Sequence, residues 1–207
     1  MNSAKTDTII AGYEAAAPRL IDQYDGLSSD RLYEPVLDLI PCGRFHALDV
    51  GAGSGRDAAW LADRGGAVTA VEPTEALRTA GAARTDGRRA SWIDDRLPRL
   101  ETVCALGRSF GLILLSGVWQ HIDDEDRAAA LPVLSALTKA GGLVVISVRN
   151  GPGADDRPCF PADADALIAL AEQNNLRCVR NRSRPSMQAG NRAAGVTWNW
   201  VALKKEP

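Results

Sequence analysis

The sequence ALDVGAGSGRD at residues 47–57 decides the fold of this chain. The apolar run over residues 45–50 predicts a short buried β-strand, three glycines follow at alternate positions, and residues 57–62 have a helix-forming composition. Glycine in such a turn permits a positive φ, bares the backbone to a ligand or lets a helix approach a strand closely. A strand, a glycine turn and a helix in this order predict a site for a nucleotide-like ligand, to which the turn presents free backbone N–H groups.

The spacing of the glycines distinguishes between cofactors. Gly51, Gly53 and Gly55 form GxGxG, whereas pyrophosphate-binding dinucleotide sites carry GxGxxG. The next predicted strand ends in Glu72, about 20 residues further on, where an acid can meet two ribose hydroxyls. With Asp49 before the glycines, this pattern resembles the class I S-adenosylmethionine-dependent methyltransferases. Their first motif is hydrophobic-Asp-hydrophobic-GxGxG, and an acidic residue follows their second strand.

The resemblance covers about residues 45–204 and implies an α/β fold of the Rossmann-like type. Such a fold has a seven-stranded, mostly parallel sheet with helices on both faces, an antiparallel last strand and an N-terminal helical lid. We therefore expect residues 1–41 to form the lid and residues 42–207 to form the methyltransferase domain as one structural unit. Apolar spacing in the N-terminal segment predicts two or three short helices, broken near Pro18 and Gly26.

Apolar runs and turn residues predict the remaining elements. Further strands are expected at residues 90–93, 109–116, 143–148, 177–182 and 197–203, and helices at 74–83, 123–139 and 161–174. Pro132 should kink or restart the second of these helices. Residues 140–142 resemble the Pro-Gly-Gly turn of the family, and residues 184–195 predict a polar, turn-rich connection.

The resemblance also implies which residues bind S-adenosylmethionine as cofactor. In class I enzymes an acid just past the third strand accepts a hydrogen bond from the adenine amino group; Asp94 is the first candidate and Asp95 the second. The acid at the position of Asp49 faces the ammonium group of the cofactor, although Asp49 can equally hold the N–H groups of its own turn. The implied set is Asp49, Gly51, Ala52, Gly53, Gly55, Glu72, Pro73, Ile93, Asp94, Asp95 and Ser116.

The fourth predicted strand leads into the sequence SGVWQHI at residues 116–122. Ligands of open α/β sheets bind at the carboxyl ends of the strands, which brings Ser116, Trp119, Gln120 and His121 to the site. His121 is one of two histidines in the chain and titrates near neutral pH, so it is a candidate catalytic base. A packing or hydrogen-bonding role is the alternative.

Three further side chains are candidates for substrate binding. Tyr13 and Tyr24 can bury a ring and still offer a hydroxyl to a ligand, although plain packing accounts for them equally well. Arg149, just after the fifth predicted strand, is a candidate clamp for a carboxylate or phosphate, with a salt bridge at the base of a loop as the alternative. Trp198 and Trp200 share one face of the last predicted strand, and we expect them to pack on a helix rather than flank the substrate.

Composition limits where the protein works. The chain has 207 residues, a natural size for one α/β domain. No apolar run approaches the roughly 20 residues of a membrane span, and the first residues lack the pattern of a signal peptide. These features predict a cytoplasmic protein without a membrane partner.

The four cysteines predict neither a disulfide framework nor a metal site, since none forms a C-x-x-C pair. Two resemblances offer alternatives. Methyltransferases that act on arsenic use cysteine ligands, and residues 158–159 are similar to the Pro-Cys of cytosine-C5 methyltransferases, where the cysteine follows the fourth strand. Here it follows the fifth, so ordinary thiols are favoured.

We expect methyl transfer to a nucleophilic N or O of a small molecule, because the chain carries no added recognition domain. One rival is an RNA or protein methyltransferase that uses residues 173–205, which contain seven Arg or Lys and no Asp or Glu. The net charge of −2 and the absence of an Asn-Pro-Pro-Tyr-like segment argue against nucleic acid. A non-catalytic S-adenosylmethionine-binding regulator is the rival from another class, and a nicotinamide dehydrogenase is a distant third. The sequence does not predict the oligomeric state.

Overall fold

A computed structural model describes residues 3–153 and 157–206, with side chains from residue 6 onward. The helices are α1 (Ser3–Asp25), α2 (Ser29–Leu32), α3 (Arg56–Asp63), α4 (Glu75–Arg84), α5 (Glu101–Ala105), α6 (Asp124–Leu137), α7 (Ala164–Glu172) and α8 (Ala189–Ala193). Two short 3-10 helices occupy Glu34–Leu39 and Trp119–His121. The strands are β1 (Phe45–Val50), β2 (Gly66–Val71), β3 (Ala90–Ile93), β4 (Phe110–Leu115), β5 (Thr138–Asn150), β6 (Leu176–Pro185) and β7 (Thr197–Lys205).

The seven strands form one sheet in the order β3-β2-β1-β4-β5-β7-β6. Strands β1 to β5 are parallel, and β7 runs antiparallel to both of its neighbours. This is the Rossmann-like sheet that the sequence predicts, including the antiparallel last strand, and the prediction is confirmed. The strand order reverses between β1 and β4, and such a switch point opens a crevice at the carboxyl ends of the strands.

Both faces of the sheet are covered, which explains why its central strands are almost continuously apolar. One face packs Leu48, Ile113 and Ile146 against α6 and α7. The other packs Leu112 and Val145 with α3 and the 3-10 helix at 34–39. None of the helices in the described part of the chain is both long and apolar enough to cross a membrane.

The N-terminal segment differs from the prediction at Pro18. Helix α1 continues through this proline for 23 residues and ends only before Gly26, so the predicted break near Pro18 is wrong. A proline inside a helix removes one backbone hydrogen bond, a loss that the packing of the neighbouring Ala16, Ala17 and Leu20 offsets here. The break at Gly26 is where it was predicted.

Three later elements also differ. Helix α6 runs through Pro132 without restarting. Strand β5 begins at Thr138 and takes in the turn predicted at 140–142, where Gly141 has a φ of 71° and the pairing with β4 shifts register. The connection between β6 and β7, predicted as turn-rich, contains the short helix α8.

Candidate active site

A cavity of about 380 Å³ lies over the carboxyl ends of β1, β2 and β4. Helix α1 covers it, and the connection between β6 and β7 forms the opposite wall. The lining includes Ile9, Tyr13, Leu20 and Tyr24 of α1, Gly51, Ala52, Gly53, Glu72, Pro73, Asp95, Ser116, Gln120, His121, Arg149, Arg157 and Cys159, and Met187, Gln188, Trp198 and Trp200. The structure therefore brings most of the predicted site residues to one place.

The backbone donors of the glycine turn are already engaged. The N–H groups of Gly51 and Ala52 both donate to the carbonyl oxygen of Val71, at 2.8 and 2.9 Å. Gly53 N–H donates to Oε2 of Glu72 at 2.8 Å. The expectation that this turn presents free N–H groups is therefore wrong for these three residues, because the neighbouring strand and its terminal acid accept them.

Two of the glycines permit close approaches. A Cβ on Gly51 would lie 2.4 Å from the Val118 side chain, and one on Gly55 would lie 2.8 Å from Cα of Gly81. Gly55 begins α3 with a φ of 79° and lets this helix pack against α4. Gly55 thus serves helix packing and does not line the cavity, whereas Gly51 and Gly53 do. Tyr24 covers Gly53 at the contact distance of a side chain.

Glu72 links the glycine turn to the start of α4 through hydrogen bonds at the base of the cavity. Besides Gly53, its carboxylate accepts the N–H of Thr74 at 2.9 Å through Oε1. Burial raises the pKa of Glu72, and the hydrogen bonds from Thr74 and Gly53 act in the opposite direction. Each oxygen keeps a second lone pair, so the side chain can still accept hydrogen bonds from a ligand.

Asp49 is the least satisfied polar group of the site. Its side chain is 1% exposed, and its Oδ2 has no hydrogen-bond partner among the described residues. Burial, then Asp57 and Glu72, raise the pKa of Asp49 well above its usual value, while Arg56 lowers it. Because the N–H groups of the turn have other acceptors, Asp49 does not hold them, and one of its two predicted roles falls away. Asp49 is not among the residues that line the cavity, whereas its neighbours Val50 and Gly51 are.

Asp57 at the start of α3 fastens the N-terminal segment. It accepts hydrogen bonds from Ser29 Oγ at 2.7 Å and Tyr33 Oη at 2.9 Å, and it pairs with Arg56. Burial raises the pKa of Asp57, but Arg56 and these hydrogen bonds outweigh it and hold the pKa below its usual value. The sequence did not predict this buried network, because its members lie on separate segments of the chain.

The acids after β3 lie in different places. Asp95 lines the cavity and accepts the N–H groups of Arg96 and Val103 at 2.8 and 3.0 Å. Asp94 is exposed, pairs with Arg78 at 3.4 Å and lies outside the main cavity. Ile93 packs against the core on one face of the sheet and does not line the cavity. The structure thus places the second candidate, not the first, at the cavity wall.

The three side chains of the 3-10 helix at 119–121 point in different directions. Trp119 is 1% exposed and packs in the core with Arg127 beside its ring, so it does not reach the cavity as predicted. Three residues per turn point successive side chains about 120° apart, and therefore Trp119 and His121 cannot face the same way. Gln120 does line the cavity; its Nε2 donates to the carbonyl oxygen of Gly117 at 2.6 Å, and its Oε1 has no partner in the described chain.

His121 is held as a neutral imidazole. Its Nδ1 lies 3.3 Å from the carbonyl oxygen of Pro158, and because a carbonyl only accepts, Nδ1 carries the proton. Its Nε2 then accepts the hydroxyl proton of Tyr13, at 2.7 Å. Burial lowers the pKa of His121 to about 4; Arg157 and Arg149 add to this lowering, and the hydrogen bond to Pro158 opposes it.

Arg149 lies beside this pair without a carboxylate partner among the described residues. Its Nε donates to the carbonyl oxygen of Pro152 at 3.0 Å and its Nη2 to Oδ1 of Asn191 at 3.2 Å. The guanidinium stacks on Trp198, with 5.4 Å from Cζ to the ring centroid. Trp198 therefore reaches the cavity, although we expected it to pack on a helix. Trp200 also touches the cavity, but it is buried and packs edge-on against Tyr33 beside the 3-10 helix at 34–39, in line with the packing that we expected.

Sequence reasoning missed Arg157 at this site and set Cys159 aside as an ordinary thiol, yet both line the cavity. Neither belongs to a motif, and the loop that carries them is too irregular for periodicity to place. Within residues 3–153 and 157–206, no group of three His, Cys, Asp or Glu side chains is arranged to hold a metal ion.

The turn suits a ligand that is cationic near β1. A pyrophosphate would need the backbone donors that Val71 and Glu72 already accept. An ammonium group instead needs an acceptor, and the unpartnered Oδ2 of Asp49 is one. The methionine end of S-adenosylmethionine carries such a group, so these residues fit this cofactor.

Comparison with known proteins agrees with this geometry. The model of a methyltransferase domain matches residues 47–142. Residues 47–142 are thus similar to a methyltransferase domain, and the seven-stranded sheet that contains them is the Rossmann-like fold of the class I S-adenosylmethionine-dependent methyltransferases. No curated protein sequence matches the chain significantly.

Solved structures of methyltransferases share the fold. The 1,6-didemethyltoxoflavin-N1-methyltransferase of Burkholderia thailandensis superposes with a TM-score of 0.77 at 21% identity, over 100% of this chain and 91% of that one. The N-methyltransferase NodS of Bradyrhizobium japonicum WM9 gives 0.67 at 16%, over 86% and 93%. The geranyl diphosphate C-methyltransferase of Streptomyces coelicolor A3(2) gives 0.68 at 13%, over 85% and 79%. At these identities the likeness concerns the fold.

Proposed function

We propose that this methyltransferase acts on a nucleophilic N or O of a small molecule bound in the cavity beneath α1. The size of the cavity supports this most: about 380 Å³, covered by a helix and walled by the β6–β7 connection, lies in the range of small-molecule sites. A polymer would need an open groove to deliver its acceptor atom.

The residues around His121 suit this reaction. Bound S-adenosylmethionine would supply a methyl group already activated on a sulfonium, and cleavage of its S–CH₃ bond would leave the neutral thioether S-adenosylhomocysteine. The acceptor N–H or O–H replaces the Tyr13 hydroxyl at Nε2 of His121, which takes its proton as the N–CH₃ or O–CH₃ bond forms. Gln120 Oε1, buried and without a partner among the described residues, accepts a second donor of the substrate and orients it. The proton on His121 then passes to solvent.

Two of the similar structures are named as N-methyltransferases and one as a C-methyltransferase, and two of the three names give a small-molecule substrate, 1,6-didemethyltoxoflavin or geranyl diphosphate. They support the substrate class and favour nitrogen. In the same proposal, residues 1–41 act as a lid over residues 42–207, and the protein works in the cytoplasm.

The test is transfer of a labelled methyl group. The protein is incubated with methyl-labelled S-adenosylmethionine and a metabolite extract, and products are separated by mass spectrometry into small molecules, RNA and protein. Label in a small molecule, lost in His121→Gln and kept in His46→Gln, is the expected result. Label only in RNA or protein contradicts the proposal in favour of the first rival. Cofactor binding with no label in any fraction contradicts it in favour of a regulator.

A further inference from the structure

The end of the cavity beside His121 carries two guanidinium groups. Arg149 extends from the end of β5, and Arg157 extends from the segment that leads to α7. The Cζ atom of Arg149 lies 5.4 Å from the centroid of the Trp198 ring, and that of Arg157 lies 5.1 Å from the Tyr13 ring. Stacking on a ring fixes the plane of a guanidinium, which prepares it for bidentate recognition of a carboxylate or phosphate.

The carboxylates that line the cavity already have partners other than Arg149. In the described parts of the chain, the carboxylates that line it are Asp57, Glu72 and Asp95. The first pairs with Arg56, and the other two accept backbone N–H groups. Arg149, in contrast, donates to the neutral oxygens of Pro152 and Asn191.

The two cations act on each other and on the base. Burial lowers the pKa of Arg149, and Arg157 lowers it further, while Cys159 and Tyr13 raise it. Both arginines also lower the pKa of His121, after burial. Arg149 is a partly desolvated cation whose acceptors are neutral oxygens, and its place beside a neutral base creates a demand for a compensating negative charge.

We infer that the methyl acceptor carries an anionic group, a carboxylate or a phosphate, which is held between Arg149 and Arg157 beside His121. This inference rests on the proposed function and specifies its substrate class. The charged groups that face His121 are Arg149 and Arg157, with Tyr13 of α1 and the Cys159 thiol as the other titratable neighbours. An anion there offsets both cations, so His121 becomes a stronger base only when the correct acceptor is bound.

The first test follows the protonation of His121 by ¹H NMR in protein loaded with S-adenosylhomocysteine, with benzoate and phenyl phosphate as probes. The chain has two histidines, and the exposed His46 serves as the internal reference. A saturating anion is expected to raise the proton affinity of His121 at least tenfold. Benzoate alone would identify a carboxylate site and phenyl phosphate alone a phosphate site. No change with either anion overturns the inference.

Variants make this assignment specific. Arg149→Gln and Arg157→Gln should each raise the proton affinity of His121 without any anion and weaken the response to the probes. The matched control is Arg182→Gln on β6, an exposed arginine away from the cavity. If Arg182→Gln alters the probe response as strongly as the cavity variants do, the response is non-specific and the inference fails.

The second test needs no acid titration. A metabolite extract is divided by anion exchange at pH 8, and each fraction is incubated with methyl-labelled S-adenosylmethionine. We expect label in the retained fraction, and Arg149→Gln should raise KM for that acceptor at least tenfold with a smaller change in kcat. Label only in the unretained fraction overturns the anionic acceptor and leaves the proposed function intact. Label in neither fraction contradicts the proposed function and, with it, this inference.

Discussion

Asp49 illustrates how one buried carboxylate can be kept for a ligand. Its Oδ2 lacks a partner in the described structure, and burial together with Asp57 and Glu72 raises its pKa. An acid whose pKa is raised on folding stabilises the protein below its unfolded pKa of about 3.9, and that contribution is lost as pH rises through the folded pKa. At neutral pH Asp49 therefore costs stability, and a cationic ligand can recover that cost.

We predict that Asp49→Asn weakens S-adenosylmethionine binding by about 1.5–3 kcal/mol, as for the loss of a charge-assisted hydrogen bond. Calorimetry should show wild-type affinity rising with pH as Asp49 ionises, and this rise should be absent in the variant. The control ligand is 5′-methylthioadenosine, which has no ammonium group and should bind both proteins equally. An equal loss for both ligands would show that the substitution damages the fold instead.

We predict that His121 reduces the stability of the folded protein at acid pH. An unfolded histidine titrates near 6.5, and the pKa of His121 in the folded protein is about 4. Because the unfolded chain binds the proton first, the protein loses stability as pH falls from about 6.5 to 4. Allowing for the partial exposure of the ring, we expect about 2 kcal/mol of this loss to be absent in His121→Gln. Urea unfolding at pH 7 and 4.5 measures it, with His46→Gln as the control.

At the level of elements, Tyr33 and Asp57 join the N-terminal segment to the sheet. Tyr33 is fully buried between Trp60, stacked at 5.1 Å, and Trp200, edge-on at 5.0 Å. We predict that Tyr33→Phe keeps this packing but lowers the free energy of unfolding by about 1.5–3 kcal/mol, since Asp57 loses a hydrogen bond. Urea unfolding tests this, with Ser183→Ala on β6 as an exposed control. A loss below about 0.5 kcal/mol would mean that water replaces the hydroxyl.

Helix α1 is fastened more lightly. Its buried apolar side chains among residues 6–25 are Ile9, Ala16, Ala17 and Leu20. Its polar ties include Asp25 with Arg84 and Ser54, and Glu14 with the N–H of Ala76. A helix with so few apolar contacts opens at low cost, as a lid must.

We predict that S-adenosylhomocysteine slows amide hydrogen exchange in residues 6–25 about tenfold and leaves β5 and β7 unchanged, since the ligand adds contacts to a locally opening element. Mass spectrometry of peptic peptides measures both regions in one sample. Equal protection of helix and strands would indicate global stabilisation. Unchanged exchange in α1 would contradict the proposal that this helix acts as a lid.

For the whole molecule, the sequence predicted what is local and missed what is distant. The strands follow from apolar runs, and the glycine turn with Glu72 follows from spacing along two adjacent strands. The hydrogen bond between Tyr13 and His121 joins residues 108 positions apart, and no periodicity reports it. The prediction of a helix break at Pro18 was wrong because the sequence shows that proline lacks a backbone N–H donor, but it does not show the packing that compensates for this loss. Side-chain direction in a 3-10 turn, which separates Trp119 from His121, likewise needs the backbone.

The basic residues of the C-terminal region, residues 173–205, bear on whether the methyl acceptor is RNA or a small molecule. The arginines of this region are largely neutralised within the fold: Arg180 pairs with Asp38, Arg184 lies 4.0 Å from Glu34, and Arg177 lies 3.6 Å from Glu206. The first two of these pairs dock β6 on the 3-10 helix at 34–39. Arginines that already have carboxylate partners contribute little to phosphate binding.

We therefore predict that a 20-nucleotide RNA binds more weakly than about 100 µM at 150 mM salt, beyond the weak end of ordinary non-specific binding. The double variant Glu34→Gln/Asp38→Asn releases Arg180 and Arg184, so its RNA affinity should rise and the slope of log K against log salt should steepen by about 1.4. Fluorescence anisotropy over a salt series measures both. Micromolar binding by the wild type, with a slope as steep as that of the variant, would mean that the ion pairs open for RNA and would favour a nucleic-acid acceptor over a small molecule.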